Sequence, residues 1–240
     1  MLIDSPRITP ADRAAWARWE AMDRRMAQAM AGRLDRLADT ARQIIADFAE
    51  QGPCYASISW GKDSVIVAHL VATSGLPIPL AYATSADVPG RIPNPDSERV
   101  RDAFLARFPN VDYREYRCGL GRLGEMVGTE RYISGLRGAE SGQREKTMRW
   151  HGVATKRVCR PIIGWGDAEL WAYLKLHDLP IHPAYAMTMG GTLDRSRIRV
   201  HSFGGEDGAI NGRLAWEDHY YGDITARLEG VTRARPARRN

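Results

Sequence analysis

Six consecutive residues, Ser59-Trp60-Gly61-Lys62-Asp63-Ser64, gather two hydroxyls, an ammonium, a carboxylate and a glycine in one short stretch of chain. Residues of these types suit an anion. Backbone N–H groups at a helix start point at negative charge, Lys62 adds a point charge, and Gly61 permits a close backbone approach that a side chain would block. Ser59 and Ser64 supply hydroxyls, while Asp63 is placed either to cap the helix or to assist a magnesium ion. Lys62 is read as an exposed charge whose loss would spare the fold. The stretch is not a Walker A loop, which needs glycine at the place of Ala56 and Ser or Thr where Asp63 stands. A second set follows some seventy residues on. Gly135-Leu136-Arg137-Gly138-Ala139-Glu140-Ser141, with Arg144 just beyond, brings guanidinium groups and a carboxylate together. Arginine binds phosphate or sulfate bidentately.

These residues need a scaffold, and the chain around them predicts one. Cys54 to Ser59 is a short apolar run and Ser64 to Ala72 reads as a helix, so the first set lies in a strand–loop–helix turn. Pro79 to Thr84, Val111 to Tyr116 and Arg131 to Ser134 read as further strands. Helices are expected from about Asp96 to Phe108 and from Asp167 to His177. Strands alternating with helices predict an α/β fold with a parallel sheet covered on both faces, with ligands at the carboxyl ends of the strands. Ahead of this, Trp16, Trp19, Met22, Met26, Met30, Leu34, Leu37 and Ile44 recur at helical spacing between about Pro10 and Gln51, predicting helices that pack on the core. Met187 to Gly212 reads as a long functional loop. The expected organisation is an N-terminal helical extension over 1–51, a nucleotide-binding domain over 52–230 and a basic tail over 231–240.

Composition narrows the class. The 240 residues are 44% hydrophobic and 26% charged, the balance of a water-soluble globular chain. No run of about 18 apolar residues occurs and no apolar signal core opens the chain, so a cytoplasmic protein with no membrane partner is expected. The formal charge of +5 includes Arg233, Arg235, Arg238 and Arg239 of the tail, which read as a solvated tail and leave nucleic acid open as a partner. Cys54, Cys118 and Cys159 form no CxxC pair, so neither a disulfide framework nor a cysteine-only metal site is expected. His151, His177, His182, His201 and His219 are scattered and read as packing or surface residues.

Three features in order carry a family resemblance: Ser59 to Ser64; Gly135 to Ser141 with Arg144; and Arg160-Pro161-Ile162-Ile163-Gly164-Trp165 followed by Trp171, Leu179-Pro180 and Pro183-Ala184-Tyr185. Over roughly residues 54 to 200 the chain resembles the phosphoadenylyl-sulfate (PAPS) reductase and ATP sulfurylase small-subunit family, whose members are PP-loop, adenine nucleotide α-hydrolase-like proteins. The resemblance implies a doubly wound, mostly parallel sheet of about five strands with a nucleotide across their carboxyl ends. It implies ATP or a related adenine nucleotide bound by Ser59, Trp60, Gly61, Lys62, Asp63, Ser64, Gly135, Arg137, Glu140 and Arg144. Arg137 and Arg144 would meet the phosphate or sulfate end, with Glu140 orienting one of them. The implied chemistry is adenylyl transfer or pyrophosphate release at the α-phosphate, carried by Lys62, Asp63, Arg137 and Arg144, with Mg²⁺ helped by Asp63. Trp60 stands where the family has a second glycine, and the sequence leaves open whether its indole stacks on the ligand or turns away. The stretch Tyr82-Ala83-Thr84-Ser85 replaces an Asp-Thr-Gly stretch.

One departure bears on the reaction. Reductases of the family use a cysteine thiolate near the C-terminus, whereas the last cysteine here is Cys159, and Arg197, Arg199, Val200 and Ser202 occupy the region where relatives carry cysteines. A thiol-dependent reductase and an iron–sulfur cluster are therefore not expected. The alternatives are a non-catalytic nucleotide-binding module and a component of nucleic-acid sulfur modification. The acceptor stays unnamed, and a homo-oligomer or a partner subunit is compatible with the sequence.

Overall fold

The computed structural model describes residues 1–138, 150, 152–204 and 213–228. A single helix, α1 (Pro10–Glu50), takes up the N-terminal region, where sequence periodicity had suggested several. Its start is fixed by a reciprocal cap: the Asp12 N–H donates to Thr9 Oγ1 and the Thr9 N–H to Asp12 Oδ2, with Pro10 in the first turn. At 41 residues it is about 60 Å long. Trp16, Leu34, Ala38, Ala41, Ile45 and Phe48 bury one stripe of it in the main core. Its small residues let it lie close along a later helix, with Trp16 edge-on to Trp171 at 6.1 Å.

Beyond the Gly52-Pro53 break come β1 (Tyr55–Ile58), α2 (Lys62–Ala72), β2 (Leu80–Ala83), α3 (Pro95–Arg107), β3 (Tyr113–Tyr116), α4 (Leu123–Val127), β4 (Tyr132–Ile133), β5 (Val158–Cys159), α5 (Asp167–Leu176) and α6 (Arg213–Thr225). The five strands form one sheet in the order β3-β2-β1-β4-β5, every neighbouring pair parallel. This is the expected α/β architecture. No periodicity announced β5, because two residues are too few to show an alternation. The described part of the long loop after Met187 is tied down at several points: Ile92 and Phe203 exchange backbone hydrogen bonds at 3.1 and 2.8 Å, and Arg195 to Arg197 form a 3-10 turn. The expected basic tail lies outside the described residues. Among the described residues no helix is long and apolar enough to cross a membrane.

Strand order fixes where a ligand belongs. The chain runs from β1 outward to β2 and β3, then returns to lay β4 on the other side of β1, so the direction of winding reverses between β1 and β4. Loops leaving adjacent strands on opposite faces open a crevice at that point. The loops leaving β1 and β4 are those that carry Ser59–Ser64 and Gly135–Arg137.

The core also buries histidines. His69 Nδ1 lies 2.9 Å from the Tyr173 hydroxyl and its ring packs 4.7 Å from that of His177. His182 Nδ1 accepts from the Ala184 N–H at 3.1 Å. Burial pushes the pKa values of His69 and His182 down to about 3 and lowers that of His177 as well. Above pH 6.5 these rings are neutral whether the chain is folded or not, so they cost nothing. Below it the unfolded chain takes up protons that the folded chain refuses, and stability falls. For His69 and His182 together the loss between pH 7.5 and pH 5 should be roughly 4 kcal/mol, at about 1.4 kcal/mol per proton and pH unit. Urea denaturation at the two pH values measures it, and equal unfolding free energies would rule out buried neutral histidines.

Candidate functional site

The loop after β1 is shaped by its tryptophan. Trp60 takes a left-handed backbone conformation with φ of 60°, which costs a non-glycine residue about 1–2 kcal/mol. The indole is fully buried, with ring centroids of Phe104 at 5.6 Å, Tyr113 at 5.7 Å and Tyr82 at 6.5 Å. The side chain therefore turns away from any ligand and anchors the turn from inside. Gly61 then caps α2 in an extended conformation, with no side chain on the cap. The Ser64 hydroxyl donates to the Gly61 carbonyl at 3.0 Å and accepts from the Ser59 N–H at 3.2 Å, closing the turn on itself.

Lys62 is not the exposed charge its sequence position suggested: it is 2% exposed. Its Nζ lies 3.1 Å from Asp63 Oδ2 and 5.2 Å from the centre of the Tyr185 ring. Asp63 Oδ1 accepts from Arg137 Nε, and Arg137 spends its other nitrogens on the Trp165 carbonyl at 3.1 Å and Asp167 Oδ1 at 2.8 Å. A chain of alternating charges, Lys62–Asp63–Arg137–Asp167, thus crosses the crevice and neutralises itself. A buried charge has to be paired, because the interior does not solvate it.

The network engages two of the residues that the sequence singles out. Each Asp63 oxygen faces a cation, Lys62 on Oδ2 and Arg137 on Oδ1. Among the described residues no group of three or more His, Cys, Asp or Glu side chains could hold a metal. Each guanidinium nitrogen of Arg137 makes one bond within the protein, to Asp63, the Trp165 carbonyl and Asp167, so this side chain holds Asp63 in place. Gly135 does lie in the crevice: a Cβ there would come within 2.9 Å of the Asp63 carbonyl carbon and 3.1 Å of the Ser64 nitrogen, so only glycine lets the β4 loop press on the start of α2. Glu140, Ser141 and Arg144 lie outside the described residues.

The sequence motifs give Tyr185 no role at the loop. Its phenol oxygen accepts the Lys62 N–H at 3.0 Å and sits where a Cβ on Gly61 would meet it at 3.0 Å. An oxygen on a helix-terminal amide occupies the position a phosphate oxygen would take. Burial raises the Tyr185 pKa, so the group there is a neutral phenol.

A strap covers the loop. Val200 would touch a Cβ on Gly61 at 3.8 Å. The segment from Thr188 to Arg195 that leads to it is held by two carboxylates of α1. Asp12 accepts from the N–H groups of Thr188 at 3.0 Å and Gly190 at 2.9 Å, and from the Tyr220 hydroxyl at 2.9 Å. Asp23 takes both terminal nitrogens of Arg195 at 2.7 and 2.6 Å, and that guanidinium lies 4.1 Å from the Trp171 ring centre. The long helix is thus the post to which the cover of the loop is tied. A separate cavity of about 510 Å³, lined by Ala49, Pro53, Cys54, Leu76, Pro79 and Val127, opens at the opposite, amino-terminal ends of β1 and β2.

The chain is similar to known proteins over part of its length. A family model described as the phosphoadenosine phosphosulfate reductase domain matches residues 108–193, a span that holds Gly135, Arg137, Asp167 and Tyr185. The chain is 27% identical over 178 residues to phosphoadenosine 5'-phosphosulfate reductase of Xanthomonas axonopodis pv. citri (strain 306), covering 60% of this chain and 72% of that protein. It is 37% identical to the Xylella fastidiosa (strain M12) protein of the same name over 60 residues, 25% of this chain and 24% of that one. Among solved structures it is similar to the phosphate complex of phosphoadenylyl-sulfate (PAPS) reductase from Candida auris, at 11% identity and a TM-score of 0.42, covering 62% of this chain and 87% of that one.

The network makes a stability prediction. Asp63→Ala should leave a buried Lys62 without its counter-charge and Arg137 with one carboxylate where it had two. Removing one partner of a buried pair costs about 3–5 kcal/mol. The urea midpoint should therefore fall substantially with an unchanged slope. An unaltered midpoint would show that the Lys62–Asp63–Arg137–Asp167 network is not what holds the two loops together.

Proposed function

From the premise that the chain belongs to the PAPS reductase family, we propose that it holds the phosphates of an adenine nucleotide at the amino terminus of α2 and acts at the α-phosphate, by adenylyl transfer or pyrophosphate release. One observation carries the reading: at the point where the sheet's winding reverses, a helix start without a side-chain cap offers its Lys62 N–H to a neutral hydroxyl oxygen, a place an anion would fill better. Helix amides and a lysine ammonium together favour a phosphate over a phenol, because the macrodipole and the point charge act in the same direction. Lys62 then supplies the charge on the ligand, while Arg137, acting through Asp63, sets where that ammonium stands.

The same geometry speaks against a cysteine-dependent reduction within these residues. A nucleophilic thiol needs access and a lowered pKa. Cys159 is buried in β5 with its thiol pushed up to about 12, Cys118 is buried and raised by desolvation, and Cys54 precedes β1, at the far end of that strand from the loop. A second reading, nucleotide binding without turnover, is favoured by the self-neutralised state of Lys62 and Asp63, which holds the ammonium in a pair when no ligand is present.

Calorimetric titration with ATP separates these readings. Lys62→Gln should weaken binding at least tenfold, whereas Tyr185→Phe should strengthen it several-fold by freeing the Lys62 amide. Unchanged affinity in both variants would remove the nucleotide from this loop. Pyrophosphate release from ATP marks the enzyme, and tight binding with no release marks the module. Replacing all three cysteines should leave turnover intact, and a thioredoxin-dependent sulfite release that disappears with one of them would establish reduction instead.

A further inference from the structure

Three arginines are buried among the described residues: Arg137, Arg160 and Arg195. Arg137 pairs with Asp63 and Asp167, and Arg195 pairs with Asp23 while lying over Trp171. Arg160 is different. It is 9% exposed, and neither its Nε nor its Nη1 has a hydrogen-bond partner among the described residues. Two buried guanidinium nitrogens without an acceptor are costly, and the commonest resolution is an oxygen acceptor supplied from outside the fold. Arginine does not escape by losing its proton.

The position of Arg160 suits a ligand better than a structural counter-ion. It is the first residue past β5, on the same carboxyl rim as the loops after β1 and β4. Its backbone is pinned on both sides: the Arg160 N–H donates to the Val153 carbonyl at 2.8 Å and its carbonyl accepts from the Ile163 N–H at 3.1 Å. Pro161 stiffens the turn, and the Gly138 N–H donates to the Ile163 carbonyl at 2.8 Å, joining the loop after β5 to the loop after β4. Two strand spacings, about 10 Å, separate β5 from β1. A site at Arg160 is therefore distinct from the Lys62 amide yet within reach of the same ligand.

We propose that Arg160 is the centre of a second anion site, built for an oxyanion that approaches the carboxyl rim at β5 and completes the guanidinium's bonding. Two sources share this chemistry: a free oxyanion serving as the second substrate, or an anionic group at the far end of a nucleotide whose other phosphates lie on α2. The proposal deepens the nucleotide reading in the second case and stands without it in the first.

Binding measured on the full chain tests it, with inorganic sulfate, inorganic phosphate, AMP and ATP as probes and Arg160→Gln, Arg160→Lys and Arg160→Leu as variants. Sulfate or phosphate affinity at least tenfold weaker in Arg160→Gln, partly restored in Arg160→Lys, with AMP unaffected, identifies a free oxyanion. If ATP affinity falls at least tenfold while sulfate and phosphate bind neither protein, the far end of the nucleotide is the occupant. Arg160→Leu should melt at or above the unmodified protein in the absence of anions, because an apolar side chain removes a buried charge that nothing offsets. The proposal is overturned if all four probes bind Arg160→Gln as they bind the unmodified chain. It is equally overturned if Arg160→Leu melts far lower without anions, since that marks a guanidinium already satisfied inside the fold. Failure of the nucleotide reading appears elsewhere, as ATP binding indifferent to Lys62→Gln.

Discussion

The crevice at the β1–β4 boundary depends on one carboxylate. Asp63 receives Lys62 on one oxygen and Arg137 on the other, and through Arg137 it is joined to Asp167 at the start of α5. Three separate pieces of chain, the loop after β1, the loop after β4 and the entry to α5, are fixed relative to one another by this one group. A buried ion pair is often no more stabilising than apolar residues of the same volume, but its directional bonds select one arrangement among several. Here the selected arrangement brings a glycine-lined gap and the amide end of α2 face to face. Gly135 contributes by its missing side chain, since any Cβ there would collide with the first turn of α2.

The cover over this crevice is built by the same means on a larger scale. Asp12 and Asp23 lie eleven residues apart on α1, three helical turns, and both are buried on the stripe that faces the rest of the molecule. Each bonds to the segment that runs from Thr188 to Arg195. The aromatic cluster of Trp16, Trp19 and Trp171 surrounds the Arg195 guanidinium, so this pair is desolvated and its bonds are well defined. A helix that composition alone marks as an appendage is in this way coupled to the loop, although it contributes no group that would touch a ligand there.

Much of this is legible in the sequence, and the parts that are not have a common cause. The strand–loop–helix at 54–72 and the parallel sheet follow from local pattern: an apolar run, a glycine and lysine at the turn, and apolar residues at helical spacing. Local pattern carries no information about partners far along the chain. Lys62 looks like a solvent charge until Tyr185, 123 residues later, is placed on its amide. Arg137 looks unattached until Asp63 and Asp167 are placed on its nitrogens. Trp60 looks available for stacking, yet its left-handed turn conformation sends the indole inward, where Phe104 and Tyr113 complete its surroundings. The strands β4 and β5 have two residues each, and only their neighbours in the sheet define them.

The closed state raises the question of whether it forbids a ligand or only taxes it, and magnitudes decide. To admit an anion at the Lys62 amide, one hydrogen bond to the Tyr185 hydroxyl has to break. A net hydrogen bond is worth about 0.5–1.5 kcal/mol, which lowers an apparent affinity about two- to twelvefold. Displacing the strap as a whole would be another matter, because the Asp12 and Asp23 contacts would fail with it. Those contacts lie on the Thr188–Arg195 side of the strap, whereas Val200 and the Tyr185 ring are what lie over Gly61 and Lys62. A small movement of the phenol is thus separable from the anchors on α1. On the proposed nucleotide reading the neutral oxygen on the amide is a placeholder for an anion, and the fixed charges behind it, already ordered by Asp63, need little rearrangement when it leaves.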